Sequence, residues 1–303
     1  MRLVADIGGT NARIALCANG VIDQGSIQKF FNAEWDSLDD VLRAYCQARP
    51  DVFVHEMVIA VAGPVHAGCA TLTNRNWTII ADELAQVFAC KRVVLLNDLA
   101  ALGYAVPMFG ASQVTQLCGQ DSPADPNGQA LVVGIGTGFN VSQVIVNDHR
   151  TVCPPAEAGH ISTPGSIIAA LDKHKFKPDQ FPTVETLFSG RGLTTFCRQF
   201  TGLESVTGET AMREYGDPEK TAISEAIDTY AALLGLLLRD FSLIYMPSHG
   251  TFLAGSVARA IAACASDALI NVFQQPCKFR LQKSPSVFVV QEDGAALLGC
   301  AQF

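Results

Sequence analysis

No two cysteines in this chain stand closer than 13 residues (Cys264 to Cys277), although ten are present. The Cys-x-x-Cys pairs of a structural zinc site or a thioredoxin-like centre are therefore missing. In 303 residues that open without a secretion signal, scattered thiols read as reduced core residues. Positive charge is also scarce. Lys and Arg number 21 against 29 Asp and Glu, a net charge of −8, which argues against nucleic acid or an anionic membrane as the main partner. A small anion stays compatible, because backbone amides and a metal ion can hold one. No uninterrupted apolar run is long enough to span a bilayer. The most apolar stretch, 226–246, is broken by Asp228, Arg239 and Asp240 and reads as a buried helix. Met1-Arg2-Leu3 leads straight into an apolar strand with none of the parts of a signal peptide, so the expected location is cytoplasmic. Common nucleotide signatures are lacking too. There is no G-x-x-x-x-G-K-[ST], no G-x-G-x-x-G after the first strand, and no HRD and DFG set.

What the chain does have is material for cores: 49% hydrophobic residues and 17% charged ones, over a length that suits two domains. Apolar runs at 2–7, 12–17 and 21–29 read as strands, with Asn19-Gly20 a hairpin turn between the last two. Ser37 opens a helix whose apolar face is Leu38, Val41, Leu42 and Tyr45, and Pro50 ends the segment. Strands at 57–63, 69–74 and 92–98 then alternate with a helix near 79–89, the pattern of an α/β sheet. The sparse stretch 108–128, ending in Asp125-Pro126-Asn127-Gly128, reads as passage to a second unit. Downstream, 167–175 and 184–192 read as helical or loop segments, 222–240 and 257–268 as helices, 251–254 and 286–290 as strands, and 292–301 as a terminal helix.

The second unit begins by repeating the first. "LVVGIGTGFNVSQVIVND" (131–148) aligns without a gap on "LVADIGGTNARIALCANG" (3–20), at an offset of 128. In each, an apolar strand runs into Ile-Gly, a Gly/Thr turn and a second strand. A phosphate needs several N–H donors converging on it with no side chain in the way, and Gly allows both the backbone angles and the close approach. Asp6, Gly8, Gly9, Thr10 and Asn11 thus make a phosphate turn with a carboxylate placed to hold hydrated Mg²⁺. Gly136, Thr137 and Gly138 make a second without one. An ordinary tight hairpin is the competing reading of either turn alone; the matched pair favours a nucleoside triphosphate.

Seven segments in order, "ADIGGTNARIAL", "VAGPVHAGCATLTNRNW", "LLNDLAALGYAVP", "GIGTG", "PAEAGHIS", "ETLFSGRGL" and "FLAGSVA", resemble the bacterial glucokinase family of the non-repressor type, within the sugar kinase, Hsp70 and actin superfamily. The resemblance covers nearly the whole chain. It implies two α/β domains of the ribonuclease H-like (actin/hexokinase) type flanking a deep cleft: a small one at 1–108 joined by the C-terminal helix 290–303, and a large one at 109–289. It implies ATP with Mg²⁺ as phosphoryl donor and glucose or a similar hexose as acceptor, with Asp98 the catalytic base. Asn97, Gly138, Glu157, His160 and Glu185 correspond to the sugar-hydroxyl ligands, Glu157 near the 2- and 3-hydroxyls. Gly255 and Ser256 fall where the family contacts adenosine, beside the two glycine turns, with Asp6 meeting the metal through water.

Blander roles stand beside these: a helix N-cap for Asp98, a solvated or capping residue for Glu185, a structural role for a lone His160. Three departures from the family bear on nucleotide choice and turnover. Asn140 stands where the family has Gly, and Asn tolerates positive φ better than other non-glycine residues. Gly255-Ser256 replaces a Gly-Gly pair, with Ser256 placed to crowd the adenine side, and Ala156–His160 replaces "GEGGH". The rivals are a kinase of another hexose or sugar derivative and a non-catalytic sugar-sensing relative. A repressor-type kinase fits less well, because no helix-turn-helix precedes Asp6 and no cysteine cluster follows His160. Oligomeric state stays open, a homodimer being one option.

Overall fold

The structure is a computed structural model and describes residues 1–72, 75–119, 127–147, 150–177, 179–276, 285–291 and 294–303. Of the residues singled out above, Asn74, Asp125, Pro126, Asp148, Cys277 and Glu292 lie outside the described ones. In chain order the first strands are β1 (Arg2–Ile7), β2 (Asn11–Ala18), β3 (Val21–Ile22), β4 (Gln28–Phe31), β5 (Glu56–Val61), β6 (Val65–His66), β7 (Cys69–Thr71), β8 (Thr78–Ile80) and β9 (Arg92–Asn97). Helices α1 (Leu38–Gln47), α2 (Ala81–Val87) and α3 (Asp98–Ala105) lie among and after them. Then come β10 (Val114–Cys118), β11 (Gln129–Ile135), β12 (Phe139–Asn147) and β13 (Arg150–Val152). Six helices follow: α4 (Gly165–Lys173), α5 (Val184–Leu187), α6 (Gly190–Thr201), α7 (Gly208–Arg213), α8 (Thr221–Tyr245) and α9 (Ser256–Phe273), with β14 (Thr251–Ala254) between the last two. β15 (Val287–Val290) and α10 (Ala295–Gln302) end the chain. By contacts it divides into one unit of 1–109, 150–153 and 292–303, and another of 110–149 and 154–291.

In the first unit the sheet runs β3-β2-β1-β5-β9. β1 pairs antiparallel with β2 and parallel with β5, and β5 pairs parallel with β9. Leu3, Val4, Ala5 and Ile7 are fully buried. A strand covered on both faces is a near-continuous apolar run, as β1 is. Asn19 (φ 51°) and Gly20 (φ 79°) both take the left-handed angles of a tight hairpin. Ser37 caps α1, its Oγ accepting from the Asp40 N–H at 3.2 Å, and the four expected apolar residues face the core. The run 21–29 is not one strand, however. Asp23 accepts from the Gly25 N–H at 3.0 Å and winds 24–26 into a helical turn, while Ser26 Oγ accepts from Leu16 N–H at 2.8 Å. On the far face α10 lies so close to α3 that a Cβ on Gly299 would meet Ala101 O at 1.6 Å.

The second unit repeats this plan. β11 pairs antiparallel with β12 and parallel with β14, and β14 pairs parallel with β15. The passage stretch 108–128 also contributes a strand, β10, antiparallel to β15 at the edge. Helices α8 and α9 are long and apolar enough to cross a membrane by length and composition. Here they pack in the core, against each other at Gly235, where a Cβ would sit 2.4 Å from Leu269 O. The two hairpins differ in one respect. Ile7 pairs with Ala12 across a four-residue connection, whereas Ile135 pairs with Phe139 across three. The offset of 128 therefore holds for β1 and β11 but is one residue less for β2 and β12, and a one-residue slip exchanges the faces of a strand. Ala12 and Ile14 point into their core; in β12 the inward residues are Phe139 and Val141.

Candidate active site

In the first unit, Gly8 N–H donates to Asn11 O at 2.9 Å and closes the first glycine turn. Asn32, fully buried, holds that turn from behind. Its backbone N–H donates to Thr10 O at 2.9 Å and its Nδ2 to Gly8 O at 2.8 Å. Arg75 Nε donates to Gly9 O at 3.4 Å, which brings a guanidinium to the same turn. Asp6 stands one residue before the end of β1, opposite Arg13 and beside Ala60.

Asp98 follows the last residue of β9 and starts α3. The helix cap is its neighbour: Asn97 Oδ1 accepts from Leu99 N–H at 3.0 Å, while Asn97 Nδ2 donates to Gly63 O at 3.0 Å. The N-cap role that the sequence suggests for Asp98 thus belongs to Asn97, because β9 extends to Asn97 and helical angles begin one residue later. Asp98 Oδ1 also accepts from Leu99 N–H, at 2.8 Å. Burial raises the Asp98 carboxyl above its usual range, against the lowering effect of bonds from Leu99 N–H, its own N–H and the Asn97 side chain.

In the second unit, Gly136 N–H donates to Gly138 O at 3.0 Å, and Gly136 O accepts from Gly190 N–H at 2.8 Å. That bond ties the second glycine turn to the start of α6. Gly255 has φ 97°, and a Cβ there would lie 2.3 Å from Ile135 O, so only glycine fits. No side chain caps α9 after it. The first N–H groups of an uncapped helix face outward as anion donors, and Ser256 is exposed at that end.

The start of β12 gathers the other candidates. A Cβ on Gly138 would come within 2.7 Å of Glu185 Oε2, and that oxygen accepts from Phe139 N–H at 3.0 Å. Thr183 and Thr186 form a reciprocal cap on α5 that fixes Glu185. Glu185 Oε1 also lies 3.7 Å from Arg191 Nη2, an exposed pair that contributes little. Residues 158–160 form a single helical turn packed on β12 and α5. A Cβ on Gly159 would meet Phe139 O at 2.1 Å, so the turn seats only with glycine there. Glu157 precedes the turn and His160 ends it, both exposed. Gly138, Glu157, His160 and Glu185 are thus brought to one end of β12. They offer carboxylates and an imidazole, the partners that sugar hydroxyls require as donors and acceptors at once. Asn32 lies outside every quoted segment and reads in the sequence as an ordinary polar residue; Arg75 and Arg191 lie inside quoted segments, but nothing in their spacing assigns them a partner.

A family model described as Glucokinase matches residues 3–303. The glucokinase of Xanthomonas euvesicatoria pv. vesicatoria is 30% identical over 99% of this chain and 94% of its own. Among solved structures, a glucokinase from an Antarctic psychrotroph superposes with a TM-score of 0.83 at 26% identity, covering 99% of this chain and 97% of its own. A ROK family glucokinase from Streptomyces griseus, solved with glucose and AMPPNP, shares the fold with a TM-score of 0.63 at 20% identity over 99% and 97% of the two chains.

Proposed function

The chain belongs to the glucokinase family of enzymes, and from that premise we propose that it transfers the γ-phosphoryl group of ATP to the 6-hydroxyl of glucose in the cytoplasm. The observation that carries the residue assignment is Asp98, a carboxyl raised by burial and held at a strand end by the Leu99 N–H. A raised carboxyl is a better proton acceptor near neutral pH. The transition state of phosphoryl transfer is loose, so the acceptor need not be strong; held against the 6-hydroxyl it orients the attack and takes the proton late. Asn97, Gly138, Glu157, His160 and Glu185 hold the other hydroxyls. A site built to bond them disfavours sugars that leave its polar groups unmatched.

The nucleotide is read by the two glycine turns, Gly8–Asn11 and Gly136–Gly138, and by Gly255 and Ser256 at the open end of α9. No cluster of three His, Cys, Asp or Glu able to cage a metal occurs among the described residues. A single carboxylate, Asp6, near the end of β1 before the first glycine turn fits Mg²⁺ carried on ATP, which takes few protein carboxylates beside phosphate and water, and Asp6 would hold it through water. When bound, Mg²⁺ neutralises charge on the phosphates. The test is ADP release measured against a panel of hexoses with ATP, ADP and polyphosphate as donors. Glucose with ATP is expected to give the highest kcat/KM; no release with any sugar would leave the sugar-sensing reading.

A further inference from the structure

Asn140 uses its whole amide. Nδ2 donates to Ala156 O at 2.8 Å and to Glu157 Oε2 at 3.1 Å, while Oδ1 accepts from Ala158 N–H at 2.9 Å and Val141 N–H at 2.8 Å. Two donor hydrogens and two lone pairs are all an amide has. It sits opposite Gly134 in the ladder, on the face that the one-residue slip of β12 turns away from the core. Glu157 is exposed, and among the described residues its carboxylate has no other hydrogen-bond or ion-pair partner. An exposed carboxylate with one partner takes its direction from that partner. The same amide pins the backbone on both sides of Glu157, at Ala156 and Ala158.

We propose that Asn140 is a positioning residue for hexose recognition, holding Glu157 Oε2 and the 156–158 backbone so that Oε1 is presented to the sugar. This rests on the reading of Glu157 as a sugar-hydroxyl ligand. A glycine at 140 would have no side chain to make these bonds, so the order of this segment depends on the asparagine. The order of residues 156–158 is then set in the free protein rather than by the sugar, which lowers the ordering cost of binding.

The test compares Asn140→Ala, Asn140→Gly, Asn140→Asp, Glu157→Gln and the Asn140→Ala/Glu157→Gln double variant in steady-state kinetics, with melting temperature as a check on folding. Loss of a bond to a charged group predicts a rise of about tenfold or more in glucose KM for Asn140→Ala, with MgATP KM within about twofold. Asn140→Asp, which sets a second carboxylate against Glu157, should be worse than Ala. If Asn140 acts through Glu157, the double variant should be no worse than Glu157→Gln alone, because coupled residues are not additive. An unchanged glucose KM in folded Asn140→Ala or Asn140→Gly, an equal rise in both substrate KM values, or full additivity would overturn the role. Should Glu157→Gln itself leave glucose KM unchanged, the sugar-site reading fails and takes this inference with it. Should Glu157→Gln raise it while the Asn140 variants do not, only the Asn140 role fails.

Discussion

Asp98→Asn separates what the carboxylate does for the reaction from what it does for the fold. The substitution keeps the shape, and an Asn Oδ1 can still accept the Leu99 N–H that Asp98 takes at 2.8 Å. Orientation is retained and only proton acceptance is lost, so turnover should fall on the order of 10²–10⁴-fold, equivalent to about 2.7–5.4 kcal/mol of barrier. Hexose binding should persist in calorimetry. Stability should move the other way. Burial raises the folded-state pKa of Asp98 above its unfolded value, so the group favours the fold fully only below the unfolded pKa of about 3.9. That contribution is lost as pH rises through the folded pKa. Well above the unfolded pKa the buried group is therefore a net burden. Removing it forfeits a favourable interaction with the start of α3 of about 0.3–1 kcal/mol, and the raised pKa says that the burial penalty outweighs this. Urea unfolding at pH 8 and pH 5 should show Asp98→Asn more stable than wild type at pH 8, with the gap shrinking at pH 5. A folded variant that phosphorylates glucose at near wild-type rate would refute the base assignment, and one less stable at pH 8 would refute the burial argument.

Asp6→Asn should raise MgATP KM while leaving glucose binding intact, and excess Mg²⁺ should restore part of the activity; an equal loss at all Mg²⁺ concentrations would speak against the metal-side role. Asn32→Leu removes the bond to Gly8 O at 2.8 Å, and should raise MgATP KM more than glucose KM by loosening the first turn. Gly299→Ala places a Cβ 1.6 Å from Ala101 O, so α3 and α10 must part. Overpacking of this kind costs about 1–3 kcal/mol, measurable as a lowered urea midpoint.

The parts legible in the sequence are those where a residue type has one backbone use. Asn19-Gly20 can hardly be other than a hairpin, and Gly8 and Gly136 end their strands where predicted. The residues that correspond to hexose ligands are legible only through family motifs, and the structure sets four of them, Gly138, Glu157, His160 and Glu185, around the start of β12. Residues that support the site from behind were not legible. Asn32 carries no sequence signal, because its value lies in bonds to Gly8 and Thr10 made across 24 and 22 positions of chain. The register of β12 was hidden for a related reason. An ungapped alignment counts residues and cannot see that one turn spends four on its connection and the other three.

That slip also explains how an asparagine is accommodated at residue 140. Aligned by count, Asn140 matches Ala12, a fully buried core position, and a buried amide there would need partners the core lacks. Shifted by one, the core takes Phe139 and Val141 instead, and Asn140 turns to the opposite face, where Ala156, Glu157 and Ala158 satisfy it. Its tolerance for positive φ plays no part: Asn140 lies in β12 and is absent from the residues with positive φ. The asparagine is accommodated there by hydrogen bonding, not by backbone permissiveness. Alanine would fit that backbone equally well but satisfy none of those groups, so Asn140→Ala should disturb Glu157 without disturbing the strand.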